Sequence, residues 1–189
     1  MLESFLKFDR DLLIYLNNLG SDNWDPVWLL LTDKLAYLPF FVLIIYFLFK
    51  NFSTKELLFI LLSIALLILF TDQFTNFIKD SFQRLRPCRD DSLNFLLRSI
   101  DVRCGKFGFF SAHAANSMAL SVFLYKLFYD FNFKILNYFL ICWVLLFSYS
   151  RIYLGVHFPL DVIFGLFFGL VFGYFAYKLL NKFILFRTK

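Results

Sequence analysis

The sequence is short of charge and almost without histidine. Only 17% of its 189 residues are Asp, Glu, Lys or Arg, and it has two histidines, three cysteines and four prolines. Soluble domains carry about a quarter charged residues, so this balance excludes a soluble protein of ordinary composition. The three cysteines, Cys88, Cys104 and Cys142, match no zinc or haem spacing, which excludes a cysteine-built metal site. Low-complexity tracts, a soluble appendage and long-period repeats are also missing. No charged n-region leads into a short apolar core and a small-residue cleavage site, so the apolar segments themselves are expected to direct membrane insertion.

What is present is apolar surface: 60% hydrophobic residues, among them 30 phenylalanines. A soluble interior of this size cannot hide that many rings, whereas lipid hides them without packing. The net charge of +5 is not gathered into a basic run interleaved with aromatics, so no nucleic-acid partner is expected.

Hydropathy and breaker residues predict an all-α, polytopic membrane helix bundle forming a single domain over 1–189. Residues 1–34 read as an interfacial and re-entrant N-terminal region. Within it, Leu2, Phe5, Leu6, Leu12, Leu13, Leu16 and Leu19 share a helical face, and "DPVWLLL" is too short to cross. Five spans are expected near 35–50, 56–78, 112–130, 135–151 and 158–180. Five crossings put the loops at 79–111 and 151–157 on one side. Gly165, Gly169 and Gly173 repeat every four residues, a spacing that lets helix backbones approach closely. They read as bundle contacts or, alternatively, as a homodimer interface.

Three polar clusters interrupt this apolar background. In "FTDQFTNFIKDSFQRLRP", Asp72, Asn76, Lys79, Gln83 and Arg86 recur at helical intervals, with Pro87 stopping the helix at about Arg86. In "GKFGFFSAHAAN", Ser111 stands as an N-cap before a helix whose first turn carries His113, and amides at such a terminus suit a phosphate oxygen. In "SRIYLGVHFPLD", Arg151 closes one span, His157 opens the next, and Asp161 follows four residues later, where a carboxylate can hold the imidazole in one tautomer. Each cluster alone could be a helix end carrying snorkelling charges or a structural hydrogen-bonder. Together they place both histidines beside cations on one side of the membrane, where an ionisable group is a functional candidate by default. Two imidazoles, three cations and a helix N-terminus describe a phosphoryl-transfer site.

The order Lys-x6-Arg-Pro, Ser-x-His, Ser-Arg-x5-His-x3-Asp resembles the tripartite signature of the type 2 phosphatidic acid phosphatase superfamily, in particular its small bacterial membrane branch. The resemblance runs from Lys79 to Asp161 with every charged position present. It implies a lipid phosphate or diphosphate phosphatase that uses neither metal nor cofactor. His157 would be the nucleophile, Asp161 its orienting group and His113 the general acid. Lys79, Arg86, Arg151 and Ser111, with backbone amides such as that of Ala112, would bind the phosphate. One departure is visible: where the family usually reads Pro-Ser-Gly-His, this chain has "FSAH", with Phe110 and Ala112 in place of proline and glycine.

Undecaprenyl diphosphate is the first expected substrate, with phosphatidylglycerol phosphate and lipid A phosphate next. A non-catalytic lipid-phosphate carrier is the alternative, although it would have no use for the His157–Asp161 pair. The expected location is a bacterial inner membrane with the site facing the periplasm or outer face. Lys and Arg do not decide the orientation. Eight of nineteen, namely Lys50, Lys55, Lys126, Lys134, Lys178, Lys182, Arg187 and Lys189, fall on the side away from the clusters, leaving eight on the other once the three phosphate binders are set aside. Acidic residues tip the balance slightly toward an outward-facing site. Cys88 and Cys104 share the loop between the first two clusters, and a disulfide between them is expected, with two free thiols as the other reading.

Overall fold

The computed structural model of the chain describes residues 2–98, 100–129 and 134–185. The described regular structure is helical: α1 (Leu2–Asn18), α2 (Asp25–Thr32), α3 (Leu38–Asn51), α4 (Thr54–Phe82), α5 (Ala112–Leu127), α6 (Lys134–Tyr153) and α7 (Pro159–Leu185). Local chemistry sets several boundaries. Ser53 and Glu56 form a reciprocal capping box at the start of α4, and Ser111 caps α5 by accepting from the Ala114 amide at 3.4 Å. Gln83 ends α4 by adopting the left-handed conformation at φ +49°.

That ending comes earlier than the stop at Arg86 expected from Pro87. Residues 84–86 instead run extended beside 106–108. Leu85 bridges Phe107, the Arg86 amide donates to the Lys106 carbonyl at 3.1 Å, and the Gly108 amide donates to the Arg84 carbonyl at 2.8 Å. The continuous helical stripe from Asp72 to Arg86 therefore does not form, and Asn76 and Gln83 are exposed.

Four helical stretches are long and apolar enough to cross a bilayer: Lys34–Asn51, Thr54–Phe82, Ile135–Tyr153 and Pro159–Phe183. The remaining expected span, 112–130, is shorter. α5 stops at Leu127 after 16 residues, and position 130 lies outside the described residues, as do Arg187 and Lys189 of the charge count. α5 still runs from one end of the bundle to the other. Its first amide region is tied to Asp161 at the start of α7, and Phe128, just past its end, packs on Phe52 between α3 and α4. It is less apolar than its neighbours because α4, α6 and α7 surround it. Ala114, Ala115, Ser117, Ala119 and Ser121 are buried there against protein, not lipid.

The glycine stripe explains the closest of these contacts. A Cβ at Gly165 would lie 2.6 Å from the Ser111 carbonyl oxygen, and at Gly169 and Gly173 it would collide with the carbonyl oxygens of Ala115 and Ala119. α5 thus occupies the face that Gly165, Gly169 and Gly173 present. That is the bundle-contact reading of Gly165, Gly169 and Gly173.

α1 docks on the bundle along a narrow stripe. Its buried positions are Asp9, Leu13 and Asn17, spaced four apart, while Phe5, Leu6 and Leu19 face outward. A stripe that is two-thirds polar docks on the bundle, and the apolar side is left for lipid. The Asn17 amide group donates to the Tyr153 carbonyl at 2.6 Å and its oxygen accepts from the Arg98 amide at 2.8 Å, tying α1 to the end of α6 and to the loop before α5.

Candidate active site

The site forms where α4 and α6 end and α5 and α7 begin. Gly155, at φ +63°, lets the chain turn back after α6. The Arg151 carbonyl then accepts from the amides of both Val156 and His157, at 3.1 and 3.2 Å, which fixes the imidazole at the mouth of α7. His157 is 1% exposed and Asp161 is wholly buried. Their approach is that predicted by the four-residue spacing: Nδ1 of His157 lies 3.3 Å from Oδ2 of Asp161. With Nδ1–H donated there, Nε2 keeps its lone pair.

Cations gather on this imidazole. The charges that act on it are those of Arg86, Arg151 and Lys79, and these follow burial in holding His157 well below its ordinary value. Arg86 reaches the site from the extended segment, anchored by its Nε–H to the Phe107 carbonyl at 2.9 Å. Burial likewise pulls the Arg86 guanidinium below its ordinary value. Arg151 is 5% exposed, donates from Nη1 to the Thr32 hydroxyl on α2, and leaves its buried Nε without a partner. A buried guanidinium with an unanswered N–H is suited to an anion.

The second cluster is assembled at the start of α5, with Ser111 at the expected N-cap. The Ser111 hydroxyl is taken by its own helix as a cap, and its amide donates to the Asp161 carbonyl at 2.9 Å. The Ala112 and His113 amides lie in the first turn of α5, where no intrahelical carbonyl is available to them. Ala112 has ordinary helical backbone, since among the described non-glycine residues only Gln83 has positive φ. Replacing the family's glycine with alanine therefore introduces no strain. Phe110, in the proline position, is fully buried and stacks on Phe168. His113 lies against Phe147, with ring centroids 5.2 Å apart, and opens on a cavity of about 210 Å³. Lys34, Tyr37, Asp72, Asn116 and Trp143 also line that cavity.

Ser150, part of the third cluster, points away from the chemistry: its buried hydroxyl donates to the Phe147 carbonyl of its own helix at 2.7 Å. Cys88 and Cys104 are disulfide-bonded, with Cα atoms 6.5 Å apart, in the loop that carries Arg86 toward the site. Among the described residues, no group of three or more His, Cys, Asp or Glu side chains converges as a metal site would require.

Two residues here carry no motif signal. Arg84 donates to Asp161 Oδ1 at 2.8 Å and to Asp9 Oδ2 at 2.6 Å. Burial pushes the Asp9 carboxyl above its ordinary value, with Arg84 and the Leu160 amide pulling the other way. Arg84 sits at an unconstrained position of Lys-x6-Arg-Pro. Asp9 stands on α1, outside all three polar clusters.

One end of the helical bundle thus gathers an oriented imidazole, a second imidazole and three cations. The chain belongs to the PAP2 superfamily, whose family model matches residues 56–185. It is 36% identical over 187 residues to a lipid A 4'-phosphatase of Bacteroides thetaiotaomicron, covering 96% of this chain and 81% of that protein. To a lipid A 4'-phosphatase of Porphyromonas gingivalis it is 34% identical over 179 residues, covering 94% and 75%. Two crystal structures share the fold at 23% identity. The PAP2-type phosphatidylglycerolphosphate phosphatase of Bacillus subtilis matches with a TM-score of 0.71 over 96% of this chain and 88% of that one. LpxE of Aquifex aeolicus matches with a TM-score of 0.61 over 89% and 93%. The protein is thus an integral membrane lipid phosphatase of the PAP2 type.

Proposed function

We propose that this protein removes a phosphate from the sugar headgroup of a lipid A-type glycolipid, through a phosphohistidine on His157, at the outer face of a bacterial inner membrane. The observation that carries the mechanism is the buried His157–Asp161 pair, 3.3 Å apart and ringed by Lys79, Arg86 and Arg151. The cations hold the phosphate oxygens, with Ala112 and His113 amides at the α5 N-terminus beside them. Nε2 of His157 attacks phosphorus and the bond to the lipid oxygen breaks, with His113 giving that oxygen its proton. Water then attacks the phosphohistidine, His113 takes the proton back, and inorganic phosphate leaves.

The two relatives favour lipid A phosphate over undecaprenyl diphosphate and phosphatidylglycerol phosphate. The cavity beside His113 agrees with a sugar leaving group. Tyr37 and Trp143 offer ring faces, while Lys34 and the Asp72–Asn116 pair, hydrogen-bonded at 2.6 Å, offer polar contacts. The Cys88–Cys104 disulfide supports an oxidising, outward face.

Phosphate release from lipid A, phosphatidylglycerol phosphate and undecaprenyl diphosphate by the purified protein tests this reading. Lipid A should be cleaved fastest, with no loss in chelator. His157→Ala should abolish release, and His113→Ala should slow it by about 10²- to 10⁴-fold. Undiminished release from His157→Ala would sink the mechanism. No release by the parent protein from any of the three lipids would favour a non-catalytic carrier.

A further inference from the structure

We infer that Asp9, acting through Arg84, is a positioning residue for the His157–Asp161 pair, which makes helix α1 part of the catalytic apparatus. This rests on the reading of His157 as nucleophile given above.

Asp9 is 1% exposed, although it lies on a helix whose other acidic residues, Glu3 and Asp11, are exposed. Both its oxygens are engaged at the site. Oδ1 accepts from the Leu160 amide in the first turn of α7 at 2.8 Å, and Oδ2 accepts from Nη2 of Arg84 at 2.6 Å. Nη1 of Arg84 donates to Oδ1 of Asp161 at 2.8 Å, while the guanidinium rests 4.0 Å over the Phe158 ring. With Oδ1 of Asp161 so occupied, Oδ2 is left to the Phe158 amide at 3.1 Å and to Nδ1 of His157 at 3.3 Å. Each oxygen of the carboxylate therefore has its own partner, and its plane is fixed toward the ring.

The chain Asp9–Arg84–Asp161–His157 also separates Arg84 from the substrate cations. Both of its terminal nitrogens are committed to carboxylates, whereas Arg151 keeps an unanswered buried Nε. Arg84 neutralises two buried acids and aims one of them. A side chain held this way needs only a small displacement to lose much of the benefit of orientation. A simple anchoring role for α1 is already filled by Asn17, whose bonds to Tyr153 and Arg98 stay clear of the nucleophile.

The test uses the full-length protein in detergent, assayed on the fastest-cleaved lipid of the panel above, with inorganic phosphate as competitive inhibitor. Asp9→Asn keeps an oxygen for the Leu160 amide but removes the charge facing Arg84. It should lower kcat by roughly tenfold to a hundredfold, with KM and phosphate inhibition changing less than about threefold. Arg84→Gln should behave alike, Arg84→Lys should recover part of the rate, and the Asp9→Asn/Arg84→Gln double variant should be little worse than either single one.

An unchanged kcat in folded Asp9→Asn would overturn the proposal, as would phosphate inhibition that weakens in step with kcat, which would make Arg84 a substrate ligand. A rate loss that only tracks the fraction of protein folded would reduce the pair to a structural tie. If Asp9→Asn does not fold, the same kcat-against-KM split measured on Arg84→Lys decides. Full turnover by His157→Ala, measured alongside, would show instead that the underlying reading of the site had failed.

Discussion

Gly108 has no room for a side chain. A Cβ there would lie 2.9 Å from Oδ2 of Asp161, 3.2 Å from Cγ of Arg86 and 3.6 Å from Nδ1 of His157. Since Arg84 and the Phe158 amide restrain Asp161, the carboxylate cannot yield without losing its line to the ring. Gly108→Ala is expected to cut kcat by about tenfold or more and, as an overpacking change, to lower the melting temperature, as steady-state assays and thermal unfolding would reveal. A second prediction at this scale concerns pH. On the proposed mechanism the neutral imidazole of His157 attacks phosphorus, so activity falls as pH drops through the value of His157. Burial and the three cations hold that value well below 6.5, so the enzyme's acidic limb in kcat/KM lies below 6.5. Arg86→Gln removes a cation and relaxes the depression. Its limb should therefore move upward relative to the parent on the same substrate, whose own ionisation is common to both profiles. An unmoved limb would contradict the assigned electrostatics.

Among the elements, α5 and α7 matter most because they carry His113 and Asp161 and touch backbone to backbone. The glycine spacing predicts a close approach of this kind, and the structure shows α7 making it against α5. Gly169→Val would drive its side chain into the Ala115 carbonyl and within 2.9 Å of Met118 Cβ. Overpacking of this kind costs about 1–3 kcal/mol, so the melting temperature in detergent should fall and activity should fall with it. At the other end of the bundle, Ser53→Ala breaks the capping box of α4 far from the chemistry. It should cost about 1 kcal/mol in unfolding experiments while kcat stays at the parent value, a contrast that separates helix stability from site geometry.

For the whole molecule, the site depends on the loop between α4 and α5. Residues 83–110 are pinned over the bundle end by the Leu85–Phe107 bridge, by the Cys88–Cys104 disulfide and by Arg98, whose guanidinium meets Asp22, Asp25 and the Tyr153 hydroxyl. The disulfide closes a loop of sequence separation 16, for which chain-entropy reasoning gives about 3 kcal/mol. Reductant, or Cys88→Ser with Cys104→Ser, should lower the melting temperature accordingly. Intact-mass analysis of native protein should find only the Cys142 thiol alkylatable without reduction.

The sequence by itself determined the membrane bundle, because lipid-facing helices must be apolar along their length. It also determined the core of the site, because its polar groups sit at helix ends with short-range spacings: four residues from His157 to Asp161, two from Ser111 to His113. Even the departures at Phe110 and Ala112 were visible, though only the backbone shows that alanine is unstrained there. What the tertiary structure decided lies at long sequence separation. Arg84 meets Asp9 across 75 positions and Asp161 across 77, and Asp9 caps Leu160 across 151. No periodicity links such residues, since periodicity records only what one helix does with its own turns. The early end of α4 at Gln83 was likewise hidden, because pairing between residues 84–86 and 106–108 competes with the helix and wins only when the two segments meet. The motif thus named the groups proposed to handle phosphate, and the fold alone brought the buried carboxylate of Asp9 on α1 to Arg84 beside them.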